Sequence, residues 1–288
     1  MKGSLLAATS ALLAAGFLIP YKAAVALGHR DGVVVAMLLA AALFNSGAAL
    51  ATQRPTLRWP NRISLVAATV LAAFTVVGNI AAAAALQVQE PAVTSVLLQT
   101  QVLITAALAW LLLREYISVR FLAGALITVF GFALMTRPTA NAHATTLGIL
   151  WAVAAAGAFS GMQVFTRWVI TRIRPVFINA LRLWIAVAGL VAVGGLDATL
   201  QLSHTQWFYA AAAAFFGPFL SRLCLMYTVK YITASRGTLV TMVSPIFALV
   251  LGLLTFGTLP TTVELIGGGL ILAGVVVPVV EQATRTTR

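Results

Sequence analysis

The chain repeats itself, and the repeat constrains its fold more than any other feature. An apolar run over residues 92–113 is followed by Arg114-Glu115-Tyr116 and a second apolar run over 119–135 that carries Gly124 and Gly131. Moved forward by 143 residues, Gly124 falls on Gly267 and Gly131 on Gly274. Glu115 falls on Thr258, inside the short turn Gly257-Thr258-Leu259-Pro260. Residues 235–277 therefore reuse the design of residues 91–136: helix, tight turn, glycine-bearing helix. A spacing of seven puts each glycine pair on one helix face, where small residues let two helices approach closely.

Such a repeat has to live in a membrane. Of the 288 residues 61% are hydrophobic and only 8% are charged, where a soluble domain needs about a quarter charged to cover its surface. The length suits ten spans of about 20 residues with short loops. In a soluble protein the net charge of +12 would suggest nucleic acid. Here the excess is topological, because Lys and Arg collect in cytoplasmic loops. Cys224 is the single cysteine, and His29, His143 and His204 fall in loops, so no disulfide and no metal-ligand cluster is expected. No nucleophile–base set, P-loop, paired carboxylates or HExxH motif is present, which argues against an enzyme and calls up no cofactor.

In order, the expected spans are 4–26, 33–50, 63–86, 92–113 and 119–135, then 147–169, 176–194, 207–229 and two more from residue 235. Met1-Lys2 followed by apolar residues from Leu5 reads as the first span rather than a cleaved signal. Pro20-Tyr21-Lys22 breaks that span near its far end. The polar stretch 137–146 links two halves, 1–140 and 141–288, of five spans each. With an interior N-terminus, fourteen of the eighteen Lys and Arg residues fall inside, Arg182 among them, and three fall outside. Arg222 alone is left within a span. Both termini are thus expected on the cytoplasmic side of a multi-pass membrane protein. Five is odd, so the second half crosses upside down relative to the first. Inverted repeats with a site at their interface suit alternating access.

The informative residues are polar groups inside spans, because burying them in lipid is costly. Arg222 reads either as an anchor for a carboxylate or phosphate or as a cation snorkelling to the interface. Gln99 and Gln101 sit mid-span on different sides of one helix. Asn79, Ser160 and Gln163 are further candidates, each open to a plain helix–helix hydrogen bond instead. Ser244-Pro245 matches Gln101-Val102 in the repeat, and its proline marks a kink or an unwound site. Tyr21 could cap a pathway. Asp31, Glu90, Glu115, Asp197, Glu264 and Glu281 all fall in loops or at span ends. A pump for lipophilic cations is disfavoured on that ground, and a small zwitterion or anion with an apolar body is favoured.

The helix, the turn with its Glu115 position, and the Gly-x6-Gly helix near the end of each half resemble the EamA-type family of the drug/metabolite transporter superfamily. The resemblance covers residues 5–280 or so, although Thr258 stands where the second half would carry a glutamate. It implies ten transmembrane helices in two related halves, with helices one, three, four, six, eight and nine lining the pathway. It also implies export of metabolites from a bacterial inner membrane. Members include amino-acid exporters of the YddG type, so aromatic or large apolar amino acids are the expected substrates. The rivals are a nucleotide-sugar, a phosphorylated metabolite or a drug as substrate, or a non-transporting membrane protein such as a scramblase. The expected substrate-binding set is Tyr21, Asn79, Gln99, Gln101, Ser160, Gln163, Arg222 and Ser244. The expected partners are a small molecule and the lipid bilayer, not nucleic acid.

Overall fold

The computed structural model describes residues 2–53, 61–88, 97–135, 146–172, 174–244, 246–247, 250 and 261–286. Among them the chain is helical, with no strand. The first repeat gives α1 (Lys2–Ala26), α2 (Arg30–Gln53), α3 (Arg62–Val88), α4 (Gln101–Leu113) and α5 (Val119–Met135). The second gives α6 (Thr146–Val169), α7 (Pro175–Leu200), α8 (His204–Tyr231), α9 (Ala234–Thr241) and α10 (Thr262–Thr286). In lipid every backbone N–H and C=O must be paired within the segment, and helices achieve that. By length and composition α2, α3, α6, α7 and α8 can each cross a membrane, while α1, α4, α5 and α10 carry apolar runs of 10–17 residues. The proposed boundary between residues 140 and 141 lies outside the described residues.

The packing has the two-fold form of an inverted repeat. Helix α3 packs on α6 and α8 packs on α1; α4 packs on α6 and α9 on α1; α3 meets α7 and α8 meets α2. Each of these contacts is the image of its partner when α1–α5 are exchanged for α6–α10. The self-paired contacts are α2 with α7, α4 with α9 and α5 with α10. The last fixes the sense of the symmetry. A Cβ on Gly131 would lie 2.7 Å from the Gly267 carbonyl, and one on Gly274 would collide with the Gly124 carbonyl and Thr128. Gly131 thus faces Gly267 while Gly124 faces Gly274, so the two helices run antiparallel, as an inverted pair must. Phenylalanine rings seal two further interfaces in the same style. Phe74 covers Gly161 and Phe159 covers Gly78 between α3 and α6; Phe216 covers Gly16 and Phe17 covers Gly217 between α1 and α8. The outward faces stay apolar, with Phe130, Leu126, Leu265 and Val276 exposed, as suits a surface whose solvent is lipid.

Several boundaries differ from the expected ones. Pro20 lies inside α1 without ending it. The regular helix of α7 breaks at Val193 and Gly194, where Gly194 takes φ 95° near the expected end of the span, and a short helical stretch, Leu196–Leu200, follows the kink. Asp197 is therefore helical rather than in a loop. Pro175 opens α7 at a first-turn position where its missing N–H costs nothing. Ser203 opens α8 with a capping box to Gln206. The α4–α5 turn is tight because Arg114 takes a left-handed conformation, φ 53°; its counterpart in the repeat is Gly257, the residue type that takes positive φ freely.

Candidate functional site

The arrangement around Arg222 begins with a proline. Pro218 cannot donate to the helix ladder, and α8 answers with a π-turn over Phe215–Ser221. Directly after it, Ser221 and Ser10 clasp α8 to α1: each hydroxyl lies 3.0 Å from the other residue's carbonyl, and the two oxygens are 3.0 Å apart. The next residue is Arg222, only 8% exposed. Its Nη1 donates to Gln163 Oε1 and its Nη2 to Thr166 Oγ1, both at 3.2 Å. The guanidinium therefore turns into the bundle against α6 and does not reach for the interface. Arg222 Nε and Gln163 Nε2 are buried without an acceptor. Gly237 of α9 packs beside them; a Cβ there would stand 3.6 Å from Gln163 Nε2.

A second guanidinium packs against the same helix α6, one that the sequence reading placed near the start of its span and counted with the inner-side basic residues. Arg182 is 2% exposed and sits seven residues into α7, about 10 Å of rise from its start. Its Nε donates to Asn179 Oδ1 at 2.7 Å, and its Nη1 to Thr75 Oγ1 and, at 3.5 Å, to Met162 Sδ. Asn179 in turn donates to Asn45 Oδ1 at 2.6 Å and to the Pro218 carbonyl at 3.2 Å. Asn45 donates back to the Ala41 carbonyl. This chain joins α2 and α3 of the first repeat to α6, α7 and α8 of the second. The signal that could have found it is Asn179-x-x-Arg182, two polar groups on one face of a helix that starts at Pro175, together with Asn45 in mid-span. Counting Arg182 with the basic residues of the inner side overlooked its burial; the excess of basic residues survives its removal.

The expected site residues divide. Ser160 and Gln163 are both fully buried and share one face of α6. Ser160 Oγ donates to the Gln101 carbonyl at 3.1 Å, which brings the start of α4 to the same region. Asn79 is half-buried and donates to the Thr75 carbonyl one turn back at 2.8 Å. Gln99, Gln101 and Ser244 have half-buried side chains; Pro245 lies outside the described residues. Tyr21 stands apart. It is buried, its hydroxyl has no partner, and its ring stacks on Phe17 at 5.0 Å. It lies eleven residues, about 16 Å of helix rise, beyond Ser10, at the other end of the bundle from Arg222.

At the end of the bundle where α4 stops and α9 starts, Glu115 bridges the repeats. Its Oε1 accepts from the Ala234 N–H at 3.1 Å and its Oε2 from Ser235 Oγ at 3.0 Å. A carboxylate at a helix N-terminus is favourable on electrostatic grounds. Arg167 lies 3.9 Å from the same carboxylate and bonds the Val229 carbonyl at the end of α8. Beside this clasp a groove of about 700 Å³ is walled by Leu103, Trp110, Leu111, Tyr116 and Ile117. Trp110, Leu111 and Tyr116 are well exposed, so the groove opens at the outer surface, and neither Arg182 nor Arg222 lines it. Among the described residues the ion pairs are Arg30–Asp31 and Arg167–Glu115, both at helix ends.

Ten helices in two inverted repeats, lipid-facing outside and polar where the repeats meet, define an integral membrane protein of transporter architecture. The sequence agrees: the model of the EamA-like transporter family matches residues 1–137 and again 146–280, and the chain belongs to that family. A solved crystal structure, 18% identical, superposes with a TM-score of 0.78 over 99% of both chains, a likeness of fold. A comparison with curated proteins finds no match.

Proposed function

We propose that the protein exports amino acids, the aromatic or large apolar ones first, by alternating access between its repeats, as YddG-type exporters of this family do. The observation that carries the reading is Arg222, a buried guanidinium held against Gln163 and Thr166 where α8 meets α6. A substrate carboxylate matches its fork of donors. Ser160, Gln101 and Asn79 would read the remaining polar groups, with Gln99 and Ser244 nearer the ends of the path and Tyr21 at its far mouth. The repeats 1–140 and 141–288 would rock against each other in a bacterial inner membrane, with both termini cytoplasmic. The protein would act as a carrier and not as an enzyme.

The test is reconstitution into liposomes and uptake of a panel of labelled amino acids, with wild type beside Arg222→Ala. Uptake of phenylalanine-like substrates, cut about tenfold or more by the substitution in folded protein, is the expected result, matching the loss of one charge-assisted hydrogen-bonding group. Uptake indifferent to the change would leave the transport and remove Arg222 as anchor. No amino-acid uptake by either protein in intact liposomes would turn the reading to another metabolite.

A further inference from the structure

Arg182 and Arg222 meet the same side of α6, the first at Met162 and the second at Gln163 and Thr166. Asn179, which takes the Nε bond of Arg182, also reaches the Pro218 carbonyl, one turn before Arg222. Their depths agree: Arg222 is nine residues from the end of α8, about 14 Å of rise, against about 10 Å for Arg182. Their partners are amide, hydroxyl and thioether groups, all neutral. The carboxylates whose side chains are described, Asp31, Glu115 and Asp197, stand at helix ends or in the α4–α5 turn. Two like charges in the interior of a membrane protein, served only by neutral acceptors, are a costly arrangement that packing alone does not require.

The atoms left without partners beside the arginines point the same way. Arg222 Nε and Gln163 Nε2 are both buried, and both can only donate. A group that satisfied them would bring oxygen acceptors, and one that balanced the pair would bring two negative charges. We propose that Arg182 and Arg222 form a single anion site, and that the substrate presents a doubly negative head to it, as a small dicarboxylate or a phosphate monoester does. The inference rests on the transport reading of Arg222 and moves its substrate from a zwitterion to a net anion.

The experiment measures ligand binding, so it does not depend on flux. Purified full-length protein is titrated with succinate and monomethyl succinate, with glycerol 3-phosphate and glycerol, and with phenylalanine, and affinities are read from ligand-induced shifts in melting temperature. Succinate or glycerol 3-phosphate should bind about tenfold or more tightly than its less charged partner, the scale set by one added charge-assisted contact. Whichever dianion wins identifies the carboxylate or the phosphate source. Arg182→Gln and Arg222→Gln should each remove most of that preference, weakening the dianion more than its less charged partner. Equal binding of succinate and its monoester together with equal binding of glycerol phosphate and glycerol, no binding of either dianion, or a preference untouched by Arg182→Gln would overturn the proposal. If Arg182→Gln does not fold, the wild-type preference still decides it. Dianion binding through both arginines without any flux would keep the site and remove the transporter. Phenylalanine flux indifferent to Arg182→Gln, with no dianion preference, would do the reverse.

Discussion

The α5–α10 seam and the polar interior beside α6 are both places where the two repeats meet, and they are built on opposite plans. The seam obeys the two-fold: Gly131 against Gly267 and Gly124 against Gly274 are one contact made twice. The interior breaks it. Both guanidiniums, Arg182 and Arg222, come from the second repeat, while the first contributes neutral partners, Thr75 and Asn45. At the repeat position of Arg222 the first half carries Asn79, which bonds its own helix. Packing constrains shape, and one shape serves both halves. A polar site constrains charge, and one half can supply all of it. The seam thus reads as scaffold and the interior as the place where this chain is specialised.

The comparison breaks first at the seam, where the largest effect is expected. Gly274→Leu should destabilise the protein by about 3 kcal/mol or more, because the side chain would displace a backbone carbonyl that cannot move away. Gly131→Leu should match it, and thermal melts of the two variants check the symmetry. A loss confined to one of them would mean that the seam is not built twice. Breaking the clasp at the end of the bundle is next. Glu115→Gln should cost about 1–2 kcal/mol, since one of the two acceptor oxygens becomes an NH2 donor and the Arg167 guanidinium loses its nearby counter-charge. Equal melting of variant and wild type would show that the bridge between α4 and α9 adds nothing.

In the interior the sign should reverse. Arg222→Gln removes a buried charge with neutral partners, so its stability should hold or rise, by about 1 kcal/mol, while uptake falls. A marked loss of stability would make Arg222 a structural residue. The smallest effect is expected at Thr75→Val, about 1 kcal/mol, the loss of one of several acceptors around Arg182. Asn79→Leu in the same thermal melts sets the stability baseline for a polar group bonded only to its own helix, and a larger loss of stability there would show that Asn79 also holds the bundle together.

The sequence by itself determined the class, the span count, the inverted order and the glycine seam. Those follow from one-dimensional quantities: run length against membrane thickness, parity of the spans, and a fixed step between repeats. It also named Arg222, Gln163 and Ser160, because a polar residue amid an apolar run is visible wherever it later points. Only the tertiary structure decided that Arg222 turns inward, that Tyr21 lies at the far end, and that Glu115 reaches across to α9. Arg182 was missed for a physical reason. Three basic residues precede it, Arg167, Arg172 and Arg174, and make a run that reads as interface. Its depth depends on where α7 enters the bundle, and its surroundings come from Thr75 and Met162, 107 and 20 residues away in the chain. Charge balance in an interior is a sum over neighbours, and neighbours are what folding chooses.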